Sequence, residues 1–337
     1  MQVKHPLADL LERHKKEPSC LAGLKEDMVV TNPPRSYEFA KMGCLILAGG
    51  QGTRLGWNGP KGCMPLPLPG RPTLLQQLLE KIKRKGKALP VAVMTSPLNR
   101  TATEKYLRKH RFFGLKQLAL FEQGICFVSD CRGFIVYEAP DIPVTAPAGN
   151  GQALHHFYRS GIWQAWRDRG VEVVQVIFVD NLLNRPFDEE LLGVYEAMHC
   201  DLVVRCVKRE DPTEKIGVIG LQQGRLTVRE YTELLPAMNR KQGARWDFPF
   251  GHTGIFSCTM AWIEKIQPLV LPWHLAWKKR GERSGAKVIK FEKFLFDLFP
   301  HAETFALLPS TRTAHFAPLK SKQDLDNANC GLSKSII

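Results

Sequence analysis

The chain has 337 residues, of which 44% are hydrophobic and 24% charged, a composition that excludes wholesale disorder and is long enough for one large α/β domain or a core with an appended lobe. No apolar run approaches the roughly 20 residues of a membrane span, and the opening stretch MQVKHPLADLLERHKKEP is amphipathic without a secretory core, so a cytoplasmic protein is expected. The formal charge of +14 points to polyanionic small molecules, because the densest basic cluster, Lys278, Lys279, Arg280 and Arg283, lacks the interleaved aromatics of a nucleic-acid surface. Neither nucleic acid nor a membrane is expected as a partner, and the 9 cysteines, without a CxxC pair, read as reduced core thiols.

In chain order, residues 1–42 form an N-terminal helical segment, 43–320 the main domain and 321–337 a loosely held tail. Gly43 to Ala48 is the first strand. Leu74 to Lys85 places Leu74, Leu75, Leu78, Leu79 and Ile82 on one helical face. Pro90 to Thr95 is a second strand, and a helix over Thr101 to Lys109 has Asn99 as its candidate cap. A third strand, Leu118 to Glu122, is followed by a hairpin over residues 125–137 around Cys131, Arg132 and Gly133. A long helix then starts in PAGNGQALHHF.

Val173 to Val179 is the most strongly β-branched run and reads as a central strand. Beyond it come a helix over Phe187 to His199, a strand over Leu202 to Val207 and a hairpin over Ile216 to Tyr231. The last third supplies an element over Phe256 to Lys265, a basic loop, a helix over Phe291 to Phe299 and a strand at Thr304 to Leu308. Strands alternating with helices argue an α/β fold with a mixed, mostly parallel sheet flanked by helices.

The stretch LAGGQGTRLGWNGPKG, Leu47 to Gly62, places glycines where backbone N–H groups can approach a phosphate without a Cβ in the way. A Walker loop is excluded because Lys61 precedes Gly62 and not Ser or Thr. A dinucleotide fingerprint is excluded because Gly50, Gly52 and Gly56 space as GxGxxxG, and the prolines at 60, 65, 67 and 69 prevent an immediate helix.

What remains, GGxGTR followed by PK, resembles the nucleotidyltransferases that make nucleotide sugars. The resemblance extends through FFGLKQLALFEQ, APAGNG, FVDN, DPTEKIGVI, LPWHLAWKK, KFEKFLFDLF and APLK, and is to the eukaryotic-type UDP-N-acetylhexosamine pyrophosphorylases of the UDP-sugar pyrophosphorylase superfamily. It implies a Rossmann-like nucleotidyltransferase domain that joins UTP to a sugar 1-phosphate, N-acetylglucosamine 1-phosphate first and glucose 1-phosphate next, with release of pyrophosphate. A catalytically silent nucleotide-sugar-binding protein is the alternative of another class.

The resemblance also implies site residues. Arg54, Lys61 and Lys320 neutralise phosphates; Ala48, Gly49, Gly50, Gln123, Gly149 and Asn150 hold the uracil; Asp180 holds Mg²⁺ against the α-phosphate. Gly217, Glu230, Phe294 and Phe296 contact the hexose. Read as residues alone, Asp180 also suits a helix N-cap, the two phenylalanines suit plain core, and His155 and His156 suit a structural role. Two departures stand out: HTGIF from His252 to Phe256 replaces an NAGN-like segment that reads the sugar, and Ala148 replaces an acidic residue of the uracil loop. The chain is also shorter than typical members at both ends.

Overall fold

The computed structural model describes residues 3–10, 21–211, 213–234, 241–242, 245–279 and 287–325. Its principal strands are β1 (Met42–Leu47), β2 (Val91–Thr95), β3 (Leu118–Glu122), β4 (Val173–Phe178), β5 (Leu202–Lys208), β6 (Val218–Gln222), β7 (Arg225–Arg229), β8 (Phe250–Thr259), β9 (His274–Lys279), β10 (Lys287–Glu292) and β11 (Phe305–Ser310). The helices are α1 (Leu74–Lys85), α2 (Arg100–Lys109), α3 (Ala153–Arg159), α4 (Ile162–Arg167), α5 (Glu189–Met198), α6 (Met260–Lys265) and α7 (Arg312–His315).

Nine strands make one sheet, with β3, β2, β1 and β4 adjacent and parallel, then β8, β5 and β11, and the β6–β7 hairpin paired to the start of β8. Because β8 is antiparallel to both β4 and β5, and β11 is parallel to β5, β8 alone of the seven-strand run from β3 to β11 points backwards. The expected mostly parallel α/β sheet is therefore present. Every residue of β1 and β2 is buried, as a sheet covered on both faces requires. Alternation along β1 divides the core: Cys44 and Ile46 pack with Leu75, Leu79 and Ile82 of α1, whereas Leu45 and Leu47 pack with Leu154, Phe157 and Trp166 of α3 and α4. Each such aliphatic side chain contributes about 2 kcal/mol.

Several local expectations give way to long-range contacts. Asn99 precedes α2 but makes no side-chain cap to it. Its Oδ1 accepts from Ser96 N–H at 2.8 Å, and its amide donates to the carbonyls of Ala48 (3.0 Å) and Gly50 (3.2 Å). The expected helix over Phe291 to Phe299 is instead the end of β10 followed by a 3₁₀ helix, Leu295–His301. Lys293 N–H donates to Ala148 and its carbonyl accepts from Gly151, each at 2.8 Å, which holds the chain extended where the phenylalanine spacing suggests a helix.

The long helix from PAGNGQALHHF breaks into α3 and α4 at Gly161, which has φ +79. The inner part of the expected hairpin forms, with Asp130 N–H to Phe134 at 2.8 Å, Val136 N–H to Val128 at 2.9 Å and the turn bond Gly133 N–H to Asp130 at 3.1 Å, while Ile125–Phe127 pairs with Thr145–Pro147 and Ser129–Asp130 also with β10. In the described part of residues 1–42, residues 6–9 are a turn, Leu10 is α-helical, and single 3₁₀ turns stand at Glu26–Met28 and Phe39–Lys41 before β1. Residues 11–20, Arg280, Arg283 and 326–337 lie outside the described residues. The described cysteines are all free, Cys126 and Cys131 included.

Candidate nucleotide-sugar site

The carboxyl ends of the parallel strands open into a cavity of about 710 Å³. Gly49, Gly50, Arg54, Lys61, Gln123, Gly149, Asn150, Asp180, Phe294 and Lys320 all line it, so residues scattered over more than 270 positions meet at one place. Ala48 does not. Its N–H donates to Met94 at 2.8 Å and its carbonyl accepts from Asn99, so both of its backbone groups are satisfied inside the protein.

The glycine stretch folds back on itself. Gly52 N–H donates to Gly59 at 2.9 Å and Lys61 N–H to Gly50 at 3.0 Å, which returns Lys61 to the tip of β1. Its Nζ then lies 3.0 Å from Asp180 Oδ2, with side-chain exposures of 13% and 24%. Gly49 has no room for a side chain: a Cβ there would sit 2.3 Å from Gln123 Nε2. The planar amide of Gln123 is thereby laid against the backbone of the loop.

Asp180 follows β4, and the next helix, α5, is capped by Asp188, whose carboxylate accepts from Glu190 and Leu191 N–H. The N-cap reading of Asp180 therefore falls, and its carboxylate is left to the cavity and Lys61. Asn181 beside it donates to His315 O at 2.7 Å and accepts from Ala317 N–H at 2.8 Å, while Leu319 N–H donates to Asp180 O at 2.9 Å. These bonds bring Lys320 to the same edge.

The opposite wall is built from β10 and the loop before α3. Gly149 has φ +82, and a Cβ there would meet the Lys293 carbonyl at 2.4 Å. Asn150 Oδ1 accepts from Leu295 N–H at 3.0 Å, so its carbonyl oxygen braces the wall and its NH₂ is the part left for a ligand. Lys278, Lys290 and Glu292 also line this wall. Sequence reasoning missed them; the alternation of KVIKFE, which puts Lys290 and Glu292 on one strand face, was the available signal.

Glu230 and Phe296 line a smaller neighbouring cavity of about 130 Å³, reached through Phe294, which borders both. Gly217 stands behind it, its carbonyl accepting from His252 N–H at 2.9 Å. The His252 ring lies 3.8 Å from that of Phe296, and its Nδ1 accepts from Gly254 N–H at 2.6 Å, which leaves Nε2 to carry the proton. Burial, with Lys320 nearby, pushes the His252 pKa down to about 3, so the ring is neutral. Burial also pushes the Glu230 carboxyl up, opposed by Lys320 and His274.

His274, which sequence reasoning left without a role, contacts Glu233 Oε1 at 2.9 Å and Asp297 Oδ2 at 2.8 Å. A neutral imidazole donates from one nitrogen only, so two carboxylates call for the charged ring. Burial opposes that charge, but the bonds to Asp297 and Glu233 outweigh it and raise the pKa to about 9. His155 and His156 lie on α3, with burial lowering both, in keeping with a structural role.

The chain matches the family described as UTP-glucose-1-phosphate uridylyltransferase over residues 18–332. It is 32% identical over 314 residues to UDP-N-acetylglucosamine diphosphorylase 1 of Arabidopsis thaliana, covering 85% of this chain and 61% of that protein. It is 33% identical over 319 residues to human UDP-N-acetylhexosamine pyrophosphorylase-like protein 1, covering 87% and 63%. A crystal structure of UDP-N-acetylglucosamine pyrophosphorylase from Trypanosoma brucei in complex with inhibitor matches with a TM-score of 0.75 at 26% identity, over 86% of this chain and 65% of that one. The chain thus spans about three fifths of the length of the curated relatives it matches.

Proposed function

The chain belongs to the UTP-glucose-1-phosphate uridylyltransferase family, and from that membership we propose that it forms a UDP-sugar and pyrophosphate from UTP and a sugar 1-phosphate, N-acetylglucosamine 1-phosphate first among them. The observation that carries this reading is the Lys61–Asp180 pair, 3.0 Å apart, in one cavity with Arg54 and Lys320. Cations gathered around Asp180 at the end of a parallel sheet suit a triphosphate.

Gly49, Gly50, Gln123, Gly149 and Asn150 form the uncharged end, where an amide and backbone groups match the alternating donors and acceptors of uracil. An oxygen of the sugar phosphate attacks the α-phosphorus; the bond from that phosphorus to the oxygen bridging to the β-phosphate breaks, and pyrophosphate leaves with the electron pair. No protein nucleophile is required, because the attacking phosphate is already an anion. Catalysis then consists of holding two anions together and offsetting their repulsion, the work of Arg54, Lys61 and Lys320.

The residues fit magnesium. Asp180 offers one carboxylate, and no group of three or more metal-ligating side chains occurs among the described residues, the donor set of an ion that takes its remaining oxygens from phosphates and water. Asp180 would hold it, and bound there it would add positive charge at the reacting group.

At the sugar end, Glu230, Phe294 and Phe296 receive the hexose. Glucose 1-phosphate is the second reading, favoured by His252, whose ring packs on Phe296 in place of an amide that would read an N-acetyl group. We place the protein in the cytoplasm, in keeping with its free described cysteines; no described helix is long and apolar enough to cross a membrane.

The test is pyrophosphate release by this chain with UTP, magnesium and a panel of sugar 1-phosphates, against competing nucleoside triphosphates. Fastest release with UTP and N-acetylglucosamine 1-phosphate is expected. Absence of release with every sugar would overturn the reading in favour of a silent binding protein.

A further inference from the structure

Most of the chain's positive charge lies away from the candidate site. Residues 81–116 hold eleven lysines and arginines and one acidic residue, Glu104, a surplus of ten in a chain whose whole surplus is 14. None of the eleven borders the nucleotide cavity or its smaller neighbour, so substrate phosphates do not account for them.

Some of this charge is used within the fold. Lys81 donates to the carbonyls of Leu182 (3.2 Å) and Asn184 (3.0 Å), Lys85 pairs with Glu189 at 3.1 Å, and Arg100 and Arg108 share Glu104. Six of the rest, Lys83, Arg84, Lys87, Lys109, Arg111 and Lys116, are exposed, and among the described residues none of them enters an ion pair.

These six meet at one edge. As crossovers between parallel strands, α1 and α2 run back against them, so their last turns, with Lys83, Arg84 and Lys109, lie at the amino ends of β2 and β3. Lys87 and Lys116 lead into those strands and are joined there, Lys116 N–H donating to Lys87 O at 2.8 Å. A Cβ on Gly114 would lie 3.8 Å from Lys83 Cε, which sets the turn Arg111–Gly114 against α1. The negative ends of two helices account for basic residues in the last turns. They do not account for Lys87, Arg111 and Lys116, which stand outside both helices. The nucleotide cavity opens at the carboxyl ends of the same strands, so the five residues of β2, roughly 17 Å long, separate it from this edge.

The chemistry of the edge selects its partner. No Phe, Tyr or Trp of residues 81–116 is exposed, so single-stranded nucleic acid finds no stacking platform. Four of the six cations are lysines, point charges without the fork by which arginine grips individual phosphates. The helix ends present carbonyls and not N–H groups, so no backbone donor there fixes one phosphate in place. What remains is diffuse attraction across an edge, which suits a flat surface of many negative headgroups within a Debye length.

We propose that Lys83, Arg84, Lys87, Lys109, Arg111 and Lys116 form a docking edge for the surface of a membrane rich in acidic phospholipids, a partner that composition alone did not call for. Bound so, the molecule keeps its nucleotide-sugar cavity turned away from the bilayer and open to substrates. Residues 81–116 expose one large apolar side chain, Leu98, and it borders the nucleotide cavity, so attachment is electrostatic, reversible and sensitive to salt.

The experiment is co-sedimentation of the unaltered chain with vesicles of phosphatidylcholine alone and of phosphatidylcholine with about 30% phosphatidylserine, at low and at raised salt. Two triple variants accompany it: Lys83→Gln with Lys87→Gln and Lys116→Gln at the edge, and Lys25→Gln with Lys208→Gln and Lys265→Gln elsewhere, all at exposed positions. The edge variant should lose at least about tenfold in partitioning to the acidic vesicles and the other variant less than about threefold. Retention on single-stranded polyadenylate is measured alongside.

No binding to acidic vesicles, equal binding to both kinds of vesicle, or equal losses in the two variants overturns the docking edge. Tighter retention by polyadenylate than by acidic vesicles overturns the membrane in favour of nucleic acid. Turnover enters neither readout, so the edge and the uridylyltransferase reading stand or fall separately.

Discussion

Asn181 donates to the carbonyl of His315 at 2.7 Å, joining the end of β4 to a segment 134 residues further along the chain. Its Oδ1 accepts from Ala317 N–H at 2.8 Å and from Leu183 N–H at 3.2 Å. One buried carboxamide thus fixes Lys320 relative to Asp180. Asn181→Ala leaves three backbone groups without their partner and should cost about 2–4 kcal/mol of stability. It should also lower kcat by about tenfold or more through misplacement of Lys320, with a smaller effect on KM for UTP. Asn181→Asp keeps an acceptor but loses the donor and should not restore kcat. Thermal unfolding with steady-state kinetics checks this; lost stability with native kcat would show that the clamp does not place Lys320.

On the proposed uridylyl transfer, Lys61 and Asp180 should separate catalysis from stability. Both side chains are mostly buried, yet both border an open cavity, so the pair should contribute only about 1 kcal/mol in a double-mutant cycle. Loss of a charge facing the transferring phosphate should cost about 100-fold or more in kcat. Lys61→Ala and Asp180→Asn are therefore expected to melt near the parent temperature and to turn over at a small fraction of its rate. Near-native kcat in either variant would remove that residue from the mechanism.

His274 predicts a pH effect of definite sign. Its folded pKa, about 9, lies above the ordinary histidine value, so the charged ring stabilises the fold fully below about pH 6.5, and this is lost as pH rises through 9. The size is at most about 3 kcal/mol. The groups facing it are Glu233 from the turn after β7 and Asp297 from the 3₁₀ helix after β10, with Glu230 close by. His274→Gln should flatten the decline in denaturation midpoint between pH 7 and 9. Parallel curves for parent and variant would show that the ring is not charged at neutral pH. Because Glu233 and Asp297 flank Glu230 and Phe296, KM for the sugar phosphate should rise in this variant more than KM for UTP.

The strands that build the sheet were legible because their physics is local. The largely apolar runs of β1, β2 and β4 announce strands buried on both faces, and the spacing in α1 announces one buried stripe. For GGxGTR, PK and FVDN the family resemblance proposed one shared site, and the fold does set Gly49, Gly50, Arg54, Lys61 and Asp180 on one cavity. The misreadings of Asn99 and Lys293, and the silence on His274, have a common cause: each answers to a partner 30 or more positions away. Asn99 looks like a cap until Ala48 and Gly50 arrive beside it. Lys293 sits in a helical-looking period until Ala148 and Gly151 claim its backbone. Most of β8 was missed because its glycines and threonines carry no alternation, and pairing with β4 and β5 makes it a strand.

Gly50 and Gly149 border the same cavity, yet alanine should affect them in opposite ways. Around Gly50 a Cβ meets nothing within 4 Å, so Gly50→Ala fits the fold and should leave the melting temperature unchanged or slightly higher. Its methyl group would occupy the space at the tip of β1 assigned to the nucleotide, so UTP affinity should fall by about tenfold or more. At Gly149 the left-handed backbone, φ +82, and the 2.4 Å approach to Lys293 O penalise any side chain. Gly149→Ala should lose at least about 2 kcal/mol and loosen the wall that carries Asn150 and Lys290. Thermal shift and UTP titration on the two variants separate the effects. Unimpaired UTP binding by Gly50→Ala would mean that the nucleotide does not lie against the β1 tip, and the assignment of the glycine loop would fall with it.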